Sequence, residues 1–105
     1  MHTGKGFIEL NKETGKEVRS VNYSHYDELA KFRSNGIIWC WKEIILTRNS
    51  FSGEIAVFNR STFDLIDYQV VDKVGIPESV DCIRYKNNCL YILSTSSTLY
   101  IYELR

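Results

Sequence analysis

A chain of 105 residues, 44% hydrophobic and 25% charged, holds one modest core and at most one domain. Its 13 basic residues balance its 13 acidic ones, so the basic excess with which nucleic-acid binders meet phosphates is missing. No apolar run is long enough to span a membrane, and Met1 to Gly6 is too polar for a signal peptide, so a cytoplasmic protein that meets neither nucleic acid nor membrane is expected.

The first strand expected is Gly6 to Leu10, followed by a polar turn ending at Gly15 and a return strand from Lys16 to Tyr23. Ser24 to Asn35 predicts one short helix inserted between strands. Ser24 stands at its N-cap, Asp27 and Glu28 in its first turn, and Tyr26, Leu29, Ala30 and Arg33 on one stripe. Gly36 to Trp41 and Glu43 to Arg48 are the next strands, then Glu54 to Asn59 and Phe63 to Val71. Asp72 to Ser79 holds the only proline and predicts a loop. Val80 to Tyr85, Cys89 to Ser94 and Thr98 to Leu104 complete an all-β antiparallel meander of about nine strands. The three cysteines, Cys40, Cys82 and Cys89, are odd in number and sit among apolar or β-branched residues. That pattern reads as free thiols in a reducing compartment, with a Cys82–Cys89 disulfide as the alternative.

Ile44 to Leu46, Ile55 to Phe58, Leu90 to Leu93 and Leu99 to Tyr102 are apolar at successive positions. A sheet with one face in water alternates apolar and polar residues, so these strands need cover on both faces. Propeller blades packed between neighbouring blades supply such cover; a β-sandwich is the alternative.

The phrase GKGFIELNKETGKEV returns as SGEIAVFNRSTFDLI and, at the end, as SSTLYIYEL. Leu10, Phe58 and Tyr102 stand where a blade's aromatic stands, and Asn11, Asn59 and Glu103 where its acid stands. On these residues the chain resembles β-propeller repeat proteins with degenerate blades of the WD-repeat, citron-homology or quinoprotein-like kinds. The resemblance implies about two blades, partial over 6–23, complete over 36–71 and partial over 80–104. Two blades do not close a ring, and their apolar outer faces imply a homo-oligomer or a protein partner.

Catalysis needs converging reactive groups. The two histidines, His2 and His25, lie at the terminus and at the expected helix start. Asp64 and Asp67, three apart on a strand, point to opposite faces. No zinc-binding His-Glu-x-x-His, paired Cys-x-x-Cys, phosphate loop or nucleophile elbow is present. The expectation is a protein that is not an enzyme and carries no metal or cofactor.

In the propeller arrangement the loops at 23–35, 49–53, 72–79 and 95–97 share one face, which would present Tyr23, His25, Tyr26, Phe51, Ile76 and Pro77 for binding. Phe51, between two serines, is the first choice among them. Trp39 and Trp41 flank Cys40 and point to one side of their strand, either as inter-blade packing or as a stacking platform for a sugar or base. Two functions follow from these features. One is a non-catalytic protein-interaction module completed by self-assembly or a partner chain; the other is an oligomeric small-ligand or glycan-binding protein with aromatic pockets.

Overall fold

A computed structural model describes residues 2–35, 38–49, 52–73, 76–77, 80–94 and 97–104, with backbone alone in 2–3, 72–73, 76–77 and 80–81. The fold is all-β and antiparallel. Strands β1 (His2–Thr3), β2 (Gly6–Leu10) and β3 (Glu17–Asn22) form a first sheet. A middle sheet joins β4 (Trp39–Cys40), β5 (Ile44–Asn49), β6 (Glu54–Asn59) and β7 (Leu65–Val70) in sequence order. The stretch expected to be a loop carries a two-stranded ribbon, β8 (Asp72–Lys73) and β9 (Ile76–Pro77). A third sheet follows, from β10 (Val80–Lys86), β11 (Cys89–Ser94) and β12 (Leu99–Glu103).

The unbroken apolar runs of β5 and β6 are explained by two cores, one on each face of the middle sheet. Ile44, Leu46, Ile55 and Val57 face the third sheet and pack with Ile83, Leu90 and Ile92. Ile45, Ala56 and Phe58 face the first sheet and pack with Phe7 and Val21. Side chains alternate across a strand, so a sheet with a neighbour on each side needs apolar residues at every position. Leu46 and Phe58 are fully buried, and burial of such a side chain stabilises by about 1.5–3 kcal/mol.

The third sheet differs from the expectation of cover on both faces. Leu90 and Ile92 turn inward and are fully buried, whereas Tyr91 and Leu93 between them are exposed. On β12, Tyr100 and Tyr102 face inward and Leu99 and Ile101 outward.

No α-helix forms over Ser24 to Asn35. Two 3₁₀ turns, Tyr23–His25 and Asp27–Leu29, take its place, separated by Tyr26 in extended conformation (φ −122°, ψ 125°). Tyr23, Tyr26, Leu29 and Phe32 recur every third residue, and all four pack into the core between the first and middle sheets. Three residues per turn is the period of a 3₁₀ helix, and an α-helix would have carried some of these side chains into solvent. The cap is Asn22 rather than Ser24: its side-chain oxygen accepts from the Ser24 N–H at 3.0 Å.

The β2–β3 and β6–β7 hairpins close on turns with matching hydrogen bonds. Asn11 Oδ1 accepts from the N–H groups of Glu13 and Thr14, at 2.9 and 3.1 Å. Asn59 Oδ1 accepts from those of Ser61 and Thr62, at 2.8 and 3.0 Å. The Gly15 N–H donates to Asn11 O and the Phe63 N–H to Asn59 O, both at 2.7 Å. Each hairpin also shifts register just before its asparagine, between Glu9 and Leu10 and between Val57 and Phe58.

Candidate interaction surface

The outer face of the third sheet is an apolar patch built by strand register. Tyr91 pairs with Ile101 and Leu93 with Leu99, so these four side chains form a block on the side away from the core. Leu99 and Ile101 are 57% and 59% exposed, and Tyr91 and Leu93 are also exposed. Arg84, opposite Tyr91, and Lys86, opposite Cys89, place positive charge along the β10 side, and Glu103 lies beyond Cys89 on β12. Scattered apolar residues are ordinary on a protein surface, whereas a contiguous block rimmed by charge is characteristic of interaction sites.

The opposite end of the molecule also exposes apolar residues. Leu10, on the outer face of the first sheet, is 40% exposed next to half-buried Ile8, and Val18, skipped by the β2–β3 pairing, is 59% exposed. The inner side of this sheet is tied to the middle sheet by Arg19. Its guanidinium lies 3.7 Å from the centre of the Phe63 ring, pairs with Glu9, and donates to the carbonyls of Arg60 and Ser61.

Among the described residues, those expected to bind lie in separate places. Tyr23 is fully buried, with its hydroxyl 2.8 Å from Ser34 Oγ, and burial raises its pKa. Tyr26 is half-buried and donates its hydroxyl to Phe63 O at 3.3 Å. Both tyrosines pack on Phe58, on the first-sheet side of the middle sheet. Trp39 and Trp41 are half-buried on the other side, packed against the core shared with the third sheet. Trp41 lies 5.8 Å from Tyr85, and the Arg48 guanidinium lies 5.0 Å above the Trp39 ring. Burial lowers the Arg48 pKa, and its Nε and Nη1 meet no hydrogen-bond acceptor among the described residues. The middle sheet thus stands between the two aromatic pairs. His25 is exposed at the end of the first 3₁₀ turn. Ile76 and Pro77 form β9, with side chains outside the described residues, and Phe51 lies outside them altogether.

Cys40 is exposed on the edge strand β4, beside a groove of about 290 Å³ floored by Phe7, Ile45 and Phe63. Cys82 lies opposite Leu93 and Cys89 opposite Lys86, which separates the two thiols by about 13 Å along the ladder. That is too far for a disulfide, and all three cysteines are free. Among the described residues, no three His, Cys, Asp or Glu side chains group as metal ligands would, and no helix is long and apolar enough to cross a membrane.

No family model, curated protein or solved structure matches this chain. The reading of its function therefore rests on the surface itself. Apolar outer faces were expected from the sequence, but the residues of the block on β11 and β12 were not singled out, because these strands look the same as those of the doubly covered middle sheet. The alternation that distinguishes them lies in exposure and not in residue type.

Proposed function

We propose that the protein is a non-catalytic protein-interaction module whose sheets act as propeller-like blades and whose open end faces are completed by further copies of the chain. The observation that carries this reading is the in-register block of Tyr91, Leu93, Leu99 and Ile101. The middle sheet provides the precedent for such packing, since each of its faces is covered by a neighbouring sheet. The outer face of the first sheet, with Ile8 and Leu10, is the complementary surface, so copies join head to tail. The three free thiols suit a reducing cytoplasm. Small-ligand or glycan binding on Trp39 and Trp41 has less support, because both rings are engaged between sheets.

A head-to-tail contact uses two different surfaces, which allows a direct test. Ile101→Lys spoils one surface and Leu10→Lys the other, so each variant alone should sediment as a monomer. Mixed, the two variants retain one intact contact between them and should form a dimer. Two variants that stay monomeric when mixed, while the parent chain assembles, would refute head-to-tail packing.

A further inference from the structure

We propose that the outer edge of β12 captures an extended peptide segment of another protein as the fourth strand of the third sheet. The hydrogen-bond parity of β12 is the main support. The Leu104 N–H donates to Asn88 O at 2.9 Å and the Ser94 N–H to Thr98 O at 3.0 Å. In an antiparallel ladder bonded pairs alternate with non-bonded pairs, so Tyr100 and Tyr102 also turn their backbone groups toward β11. Leu99, Ile101 and Glu103 turn theirs the other way. The sheet ends at β12, so no further strand among the described residues meets these groups.

Exposed edges are usually blunted by proline, lysine, a bulge or a covering segment. Leu99–Glu103 contains neither proline nor lysine, and its pairing with β11 runs without a register shift. The middle sheet has four strands where the third has three. Its fourth strand, β7, sends Ile66 into the core against which Tyr100 and Tyr102 also pack. A single added strand would bring the third sheet to the same number. A second copy pairing edge to edge would offer Leu99–Glu103, which has no basic residue to set against Glu103.

The edge also defines the guest. Inward-facing side chains of the added strand would lie beside Tyr100 and Tyr102, which favours apolar residues at alternate positions. Outward-facing ones would extend the row of Leu99 and Ile101, and a basic residue opposite Glu103 would complement its charge. This capture uses the edge of the sheet and head-to-tail packing uses its face, so neither depends on the other.

Amide hydrogen exchange, followed residue by residue by NMR, tests the proposal. The probe is a capped peptide of alternating valine and threonine with a lysine at each end. Binding should slow exchange at Leu99, Ile101 and Glu103 by about tenfold or more and change Tyr100 and Tyr102 little, since the latter are already bonded. Ile101→Pro removes an outward N–H and leaves the β11 ladder intact, so it should abolish the effect while the fold persists. Should that variant unfold, exchange in the parent chain still decides. The proposal is overturned if the three amides ignore the peptide up to its solubility limit. It is equally overturned if, in the Leu10→Lys variant whose head-to-tail contact is broken, they are already protected in proportion to protein concentration without peptide, which would assign the edge to a second copy.

Discussion

Phe63 occupies, at φ 64°, the position in its turn that Gly15 occupies at φ 71° in the matching turn of the first sheet. Left-handed backbone is easy for glycine and costs a side-chain-bearing residue roughly 1–2 kcal/mol. The phenylalanine is retained there because its ring is buried, packs edge-on against Phe7 at 5.3 Å, and lies beneath the Arg19 guanidinium. Phe63→Gly would relieve the backbone and lose those contacts, which for a buried phenylalanine are worth about 3–5 kcal/mol. Urea unfolding should show a net destabilisation of about 2–3 kcal/mol.

Gly6 is required for a different reason. A Cβ there would lie 2.0 Å from Val21 O, a backbone atom of the paired strand β3. Neither strand can shift without disturbing Phe7 and Val21, which pair in register and line the core. Gly6→Ala should therefore cost about 2–3 kcal/mol or more, read as a lower urea midpoint. Gly15→Ala, with nothing within 4 Å of its added Cβ, should cost only the left-handed penalty of about 1 kcal/mol.

The tyrosines give the protein a dependence on alkaline pH. Burial, reinforced by the hydrogen bond to Glu54 and its negative charge, pushes the Tyr68 phenol up to about 12 from 10.0. The folded state then holds the proton more tightly than the unfolded state. The resulting stabilisation is complete below pH 10 and is lost as pH rises from 10 toward 12. Unfolding free energies across that window should fall less steeply in Tyr68→Phe than in the parent chain. Equal slopes would mean that Tyr68 ionises as it does in the unfolded chain.

Thiol reactivity should follow exposure. Cys40 is exposed, whereas Cys82 and Cys89 are half-buried on the third sheet. An uncharged thiol reagent should modify Cys40 first, by peptide mapping, and mild oxidation should not join Cys82 to Cys89. A rapidly formed Cys82–Cys89 bridge would contradict the β10–β11 register.

Much of the strand layout was legible in the sequence because turn chemistry and apolar runs mark it. Glu54–Asn59, Cys89–Ser94 and Gly6–Leu10 fall where the residues place them. The two-sided apolar character of Ile44 to Leu46 and Ile55 to Phe58 also foretold a sheet covered on both faces. The region after Tyr23 was misread because Tyr26 and Leu29 suit a helical stripe. Only the packing of Tyr23 and Phe32 beside them reveals the three-residue period. The candidate surface was the least legible part. Leu99 and Ile101 resemble core residues by type, and their exposure depends on what lies beyond them in space. Tyr23 and Tyr26 read as loop-face residues and Trp39 and Trp41 as a strand pair, and only the packing shows that the two pairs lie on opposite sides of the middle sheet.

The molar mass of the purified 105-residue chain in solution, measured by light scattering over a range of concentrations, tests the interaction reading most directly. The expected result is a species at a multiple of 12.3 kDa that dissociates when Ile101 is replaced by lysine. A parent chain that stays at 12.3 kDa at every concentration would contradict assembly through the apolar end faces.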